Sequence, residues 1–203
     1  MMNGAYRVMA ASGLCKAQFA TTRPALVALD RDGTIIRHVE YLQRTGDVVL
    51  LGGAGAAVRR LNNLRIPTFI VTNQSVIGRG VISDEQLAAI HERLTDLLAE
   101  QGAYVDGIFY CPHLPDDRCD CRKPRPGLLL QAAEYASAEA ASGAVIGDNP
   151  TDMLMAIGVG ARAIHVQSGV ISEWPNEYGI PSVASLADAV DLLTGGSCRD
   201  SET

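Results

Sequence analysis

The sequence predicts an α/β fold, a three-layer Rossmann-like parallel sheet with helices on both faces, from three features. Short, uninterrupted apolar runs alternate along the chain with segments of helical periodicity, as βαβ units with right-handed crossovers require. Those runs stop at acidic or polar residues, as central strands buried on both faces do where they leave a sheet. The chain has 203 residues, 47% hydrophobic and 20% charged, which is the balance of a globular domain. Folding at this length hides roughly 70% of the unfolded surface, so no disulfide scaffold is needed.

The first strand is placed at residues 25–29, with Asp30 at its carboxyl end. Ala57, Val58, Leu61 and Leu64 then recur at helical spacing over 55–65, and Pro67 breaks the pattern before a second strand at 68–71. After a polar, glycine-bearing loop, Ser83 and Asp84-Glu85-Gln86 supply N-cap chemistry for a helix running to about Glu100. Leu87, Ile90, Leu94, Leu97 and Leu98 form its apolar stripe, and Gly102 closes it. Residues 108–110 are read as a third strand, 128–137 as a helix and 144–147 as a fourth strand ending at Asp148. A helix from near Thr151, a strand at 163–166 and a helix at 185–193 complete the pattern. Neither a repeat nor a low-complexity linker divides the chain, so one domain over 24–194 is expected, between a flexible extension at 1–23 and a flexible tail at 195–203.

Charge and hydropathy exclude several partners. Lys and Arg number 17 against 23 Asp and Glu, a net charge of −6, whereas binding a nucleic acid backbone calls for a basic surface. No run approaches the ~18 to 20 apolar residues that cross a bilayer, and the first residues make a weak secretory segment. The expectation is a cytoplasmic protein, favoured as a monomer, with neither nucleic acid nor membrane as partner.

Ligands of an open parallel sheet collect outside the carboxyl ends of its strands. Asp30 and Asp32 lie there after the first strand, Thr72 to Ser75 after the second, and Asp148 and Asp152 after the fourth. Each Asp taken singly also fits a turn or helix cap. Together, clustered carboxylates repel, so the site needs a cation, and hard oxygen ligands suit Mg²⁺, which in turn points to phosphate. One Asp beside the ion can attack phosphorus, and a second two residues along can exchange protons with the leaving oxygen and with water. Lys123 and the Thr72 hydroxyl offer charge and a donor to the transferring oxygens.

Asp30-Arg31-Asp32-Gly33-Thr34, Thr72-Asn73-Gln74, Lys123 and Gly147-Asp148 resemble, in order and spacing, the four motifs of the haloacid dehalogenase (HAD) superfamily of phosphatases. The stretches 71–75, 78–80, 110–113 and 119–127 are similar to its histidinol-phosphatase-like subfamily. The resemblance covers about residues 25–169. It implies Asp30 as nucleophile, Asp32 as general acid and base, and Mg²⁺ held by Asp30, Asp148 and the Asp32 carbonyl. Thr72 and Lys123 would steady the phosphoryl group, with Asp152 orienting Lys123 or the metal shell, or capping a helix. Asn73, Gln74, Ser75 and Arg122 match substrate-contacting positions, as does the stretch from His38 to Tyr41. The implied substrate is a small phosphorylated sugar; histidinol phosphate is the enzymatic alternative, and a zinc-stabilised binding module without catalysis is the non-enzymatic one. Without a large insertion after the first strand to form a cap, the site is expected to be open, leaving Arg79, Arg122 and Arg125 to grip a second anionic group.

Cys111, His113, Cys119 and Cys121 supply three thiolates and an imidazole, a complete tetrahedral Zn²⁺ shell with no open position and hence a structural role. Arg122 and Lys123 follow at once, so zinc would fix where the lysine emerges. His91 and His165 read as structural or surface residues. Three features depart from the subfamily's pattern: Ile36 where Asn is usual, Asn149 where Lys is common, and a short loop between His113 and Cys119.

Overall fold

The computed structural model describes residues 22–170 and 178–195. It contains six strands: β1 (Val27–Leu29), β2 (Thr68–Asn73), β3 (Gly107–Cys111), β4 (Ala144–Gly147), β5 (Arg162–Val166) and β6 (Ser182–Val183). The helices are α1 (Ala54–Asn63), α2 (Ser75–Gly78), α3 (Asp84–Ala99), α4 (Gly127–Tyr135), α5 (Pro150–Val159) and α6 (Leu186–Thr194), with short 3-10 turns between. The sheet order is β3-β2-β1-β4-β5-β6, and every pairing is parallel. Strand order therefore reverses between β1 and β4, the switch point at which doubly wound sheets bind ligands.

Alternation along the strands builds two cores. Val27 and Leu29 face α1, α3 and α6 through Val58, Leu61, Ile90, Leu94 and Val190. Leu26 and Ala28 point the other way, toward Leu129 and Ala132 of α4 and Met153 and Ala156 of α5. These are the two outer helical layers expected from the sequence. The capping box at α3 is also present: Gln86 N donates to Ser83 Oγ at 3.3 Å, and Ser83 N to Gln86 Oε1 at 3.0 Å.

Two elements lacked a sequence signal. Helix α2 is a single turn, too short for a periodicity, and β6 pairs only Ser182 and Val183 with β5, outside any apolar run. Helix α4 ends at Tyr135, before the expected Ser137, which takes φ 51°. Most of the expected flexible ends lie outside the described residues. Thr22 and Arg23 are described and tethered: Arg162 Nη1 donates to the Thr22 carbonyl at 2.8 Å, and the Arg23 guanidinium to the Arg65 carbonyl. Among the described residues no helix is long and apolar enough to cross a membrane.

Candidate active site

Asp30 leaves β1 hydrogen-bonded in the sheet, its N–H donating to the Ile146 carbonyl at 2.9 Å. Asp148 leaves β4, so the two acids flank the switch point. Lys123 arrives from the loop between β3 and α4, and its buried ammonium meets Asp30 Oδ1 at 2.5 Å, Asp152 Oδ1 at 2.6 Å and the Val71 carbonyl at 2.9 Å. An ammonium has three donors, so these partners satisfy it. Asp152 is at once an ion partner and a helix cap, because its Oδ2 accepts from Asn149 N at 3.2 Å in the first turn of α5. The two readings of Asp152 are thus compatible.

Ligand oxygens of Asp30, Asp148 and Asp152 all lie within 4.8 Å of one another. Three buried carboxylates around one ammonium leave an excess of negative charge. Desolvation raises Asp30 to about 8, against the opposing pull of Lys123 and with help from the other acids. Burial, then Asp152, raises Asp148 to about 6. Lys123 stays firmly protonated because attraction to Asp152 and Asp30 outweighs its own desolvation. A hard divalent cation fits this donor set, since its charge favours the ionised carboxylates that burial and mutual repulsion disfavour.

Asp32, with its side chain 19% exposed, accepts Arg31 Nε at 3.1 Å and Gln74 Nε2 at 3.0 Å on Oδ2, and Arg31 Nη2 at 3.1 Å on Oδ1. Gln74 Nε2 also donates to Thr72 Oγ1 at 2.8 Å. Gln74 is buried with its amide engaged by Asp32, Thr72 and Arg31, and it also borders the cavity where Tyr41, Ser75 and Arg79 lie. Asn73 clamps the lysine's backbone, donating to the Lys123 carbonyl at 3.2 Å and accepting from Lys123 N at 3.0 Å.

The backbone crowds Asp148. Gly33 has φ 78°, and its carbonyl accepts from Ser168 Oγ at 2.8 Å. A Cβ at Gly169 would stand 1.7 Å from Asp148 Oδ2. Gly169→Ala is therefore expected to displace that carboxylate and lower turnover by about 10²-fold, the usual cost of a 1 Å misplacement. Steady-state kinetics beside a thermal melt would check this, and wild-type turnover would contradict it.

A cleft of about 410 Å³ exposes Asp30, Asp32, Thr72, Lys123 and Asp148, and Asn73, His38 and Arg122 also line it. His38, Asp32 and Asn73 are shared with an adjoining cavity of about 280 Å³, where Tyr41, Ser75 and Arg79 lie. Apart from Arg125, every expected catalytic and substrate position thus borders one of two contiguous spaces. Arg125 does not line either: its Nη1 donates to the Cys119 carbonyl at 2.5 Å, which corrects the expectation that it grips an anion. Arg122 lines the larger cleft while donating to the His113 carbonyl at 3.2 Å.

Beside the cleft, Cys111, His113, Cys119 and Cys121 place ligand atoms within 4.8 Å of one another, and none of the three thiols is in a disulfide. Adjacent sulfurs are 3.5 and 3.6 Å apart, and His113 Nδ1 is 3.2 Å from Cys121 Sγ. A tetrahedron with Zn–S bonds of ~2.3 Å has edges of about 3.8 Å, so the cluster fits zinc with little adjustment. Burial pushes the Cys111 thiol up to about 12, and a bound cation would reverse this by favouring thiolate.

A parallel sheet that delivers two acids after its first strand, opposes them with a lysine and adds an acid from its fourth strand defines a HAD-type hydrolase. Residues 120–189 match the family model described as HAD-hydrolase-like. D-glycero-beta-D-manno-heptose-1,7-bisphosphate 7-phosphatase of Pseudomonas putida is 38% identical over 164 residues, covering 80% of this chain and 93% of that protein. The Escherichia coli K12 protein of the same name is 34% identical over 184 residues, covering 84% and 95%. The crystal structure of D,D-heptose 1,7-bisphosphate phosphatase from B. bronchiseptica, complexed with magnesium and phosphate, superposes with a TM-score of 0.76 at 32% identity, covering 83% of this chain and 97% of that one. The chain belongs to the heptose-bisphosphate phosphatase family of HAD hydrolases.

Sequence reasoning missed the grip of Arg31 on Asp32 and the clamp role of Asn73, while His91 is structural, as expected, buried against Arg31. Arg31 stood between two motif acids, which was a signal, but its direction was not. His165 is structural, as expected, yet its Nε2 lies 3.2 Å from the Asp148 carbonyl and its Nδ1 2.8 Å from Ser182 Oγ, tying the metal-side acid to β6.

Proposed function

We propose that this protein is a Mg²⁺-dependent phosphatase that removes the 7-phosphate of D-glycero-D-manno-heptose 1,7-bisphosphate through an aspartyl-phosphate at Asp30. The observation that carries it is the meeting of Asp30, Asp148, Asp152 and Lys123 at the switch point, with Asp32 two residues along and bordering the same cleft. The names of the relatives supply the sugar.

Asp30 attacks phosphorus with a carboxylate oxygen, and the bond from phosphorus to the sugar oxygen breaks. Asp32 gives that oxygen its proton. The same carboxylate then takes a proton from water, whose oxygen attacks the aspartyl-phosphate, releasing inorganic phosphate and restoring Asp30. Lys123 and the Thr72 hydroxyl steady the phosphoryl oxygens through both halves. Asp30 and Asp148 with the Asp32 carbonyl would hold Mg²⁺, which when bound neutralises charge between carboxylates and phosphoryl oxygens. His38, Tyr41, Asn73 and Ser75 frame the sugar, and Arg79 and Arg122 face the second phosphate. Cys111, His113, Cys119 and Cys121 would hold a structural Zn²⁺, which when bound would tie down the loop that carries Arg122 and Lys123.

Phosphate release should be measured with both heptose bisphosphate anomers and histidinol phosphate, with and without Mg²⁺. The expected result is Mg²⁺-dependent release with the highest kcat/KM on a heptose bisphosphate. A preference for histidinol phosphate would reject the sugar, and inactivity across all phosphate esters would favour a binding module.

Raised acids also set a pH dependence. Without metal, Asp30 and Asp148 hold protons in the folded state that they lose near 3.8 when unfolded. The folded state then binds more protons over that window, so their contribution to stability falls as pH rises from about 4 to about 8. Mg²⁺ competes with those protons, so its thermal shift should be larger at pH 8 than at pH 5. Melts at both pH values check this; a shift independent of pH would argue against ion binding at these acids.

A further inference from the structure

We propose that Arg31, held by His91 and Gln74, is a positioning residue that aims the Asp32 carboxylate for its proton transfers. This rests on the phosphatase reading above. Arg31 is 2% exposed and is among the largest fully buried side chains of the described residues. A guanidinium loses its hydration there, which is tolerated only with well-placed partners. Its fork grips both oxygens of Asp32, from Nε to Oδ2 and from Nη2 to Oδ1, each at 3.1 Å.

The remaining donors reach back into the fold. Arg31 Nη2 donates to Gln74 Oε1 at 2.9 Å, and Nη1 lies 3.1 Å from His91 Nε2 on α3. Burial, and then the Arg31 charge, depress His91 to about 4, so its ring is neutral and offers Nε2 as an acceptor. The ring is fixed in turn against Tyr110 of β3, with centroids 5.7 Å apart, and the Tyr110 hydroxyl donates to Asp84 Oδ1 at 3.1 Å. An arginine alone would be a flexible prop; one braced by a helix, a strand and the Gln74 amide is a fixed one.

The bracing distinguishes the two oxygens of Asp32. Oδ2 accepts Arg31 Nε and Gln74 Nε2, whereas Oδ1 accepts Arg31 Nη2 alone. Oδ1 keeps the freer lone pair and is the oxygen that carries the proton to the leaving group and takes it from water.

The test separates aim from folding by varying the leaving group. A sugar alkoxide must be protonated as it departs, while p-nitrophenolate leaves without help, and kcat/KM reports that step. Arg31→Met and His91→Leu are expected to lower kcat/KM on heptose 1,7-bisphosphate by about 10- to 10²-fold, and on p-nitrophenyl phosphate by about 3-fold or less. His91→Gln, whose amide oxygen can accept from Arg31, should recover most of that loss. Equal losses on both substrates, no loss on either, or failure of Gln to rescue would each overturn the proposal. Should Arg31→Met not fold, the two His91 variants decide by the same ratio. A wild type silent on every phosphate ester would overturn the phosphatase reading itself, whereas an active wild type with equal variant losses overturns only the role of Arg31.

Discussion

Asp30→Asn is expected to abolish turnover, lowering kcat/KM by about 10⁴-fold or more, because an amide in the same place cannot form the acyl phosphate. The substitution keeps the shape of the side chain and removes a charge that burial already disfavours, as the rise of Asp30 to about 8 records. Lys123 retains Asp152 at 2.6 Å and the Val71 carbonyl at 2.9 Å. The metal-free variant should therefore melt no lower than wild type at pH 8, where the native carboxylate is most costly, while its response to Mg²⁺ shrinks. Kinetics and melts on one preparation check both halves. Unchanged phosphate release would remove Asp30 from the chemistry, and a collapsed melting temperature would mean that the Lys123 pair, rather than catalysis, explains the acid.

That separation of charge from shape also marks what was legible in the chain. Asp30 and Asp148 could be placed because each directly follows a strand, with Asp32 two residues beyond Asp30, and a strand's apolar run is a local signal. The zinc cluster was legible for the same reason, with all its ligands between residues 111 and 121. Contacts between distant segments were not. Arg31 meets His91 across 60 residues, and Asn73 meets Lys123 across 50, so neither pairing leaves a spacing to read. Gln74 matches a substrate-contacting position of the family, but the contacts of its amide within the fold leave no local spacing to read. Here the one-turn helix α2 begins at the next residue, and Gln74 is turned inward onto Asp32 and Thr72. Arg125 is expected to grip an anion only because the site lacks a cap, yet its guanidinium reaches the Cys119 carbonyl within its own loop.

The loop carrying Lys123 is held at two points, and their unequal strengths give the second large effect. Cys121 holds it in the Cys-His cluster proposed to bind zinc, and Asn73 clamps it at Lys123 itself by two hydrogen bonds. A net hydrogen bond contributes ~1 kcal/mol, whereas a structural zinc site contributes several times that. Cys121→Ser is expected to lose bound zinc and to unfold roughly 10 °C lower, as a deficit of about 3 to 5 kcal/mol would give in a chain of this size. Its kcat should fall further than that of Asn73→Ala, because without zinc the residues from Cys119 to Arg122 lose the anchor that turns them toward the cleft. Metal analysis, a melt and kinetics on both variants check the order. A Cys121→Ser protein with wild-type melting and turnover would mean that the clamp at Asn73, with Asp30 and Asp152 drawing the ammonium inward, positions the lysine unaided. In that case zinc would serve only the packing of the loop against β3 and α4.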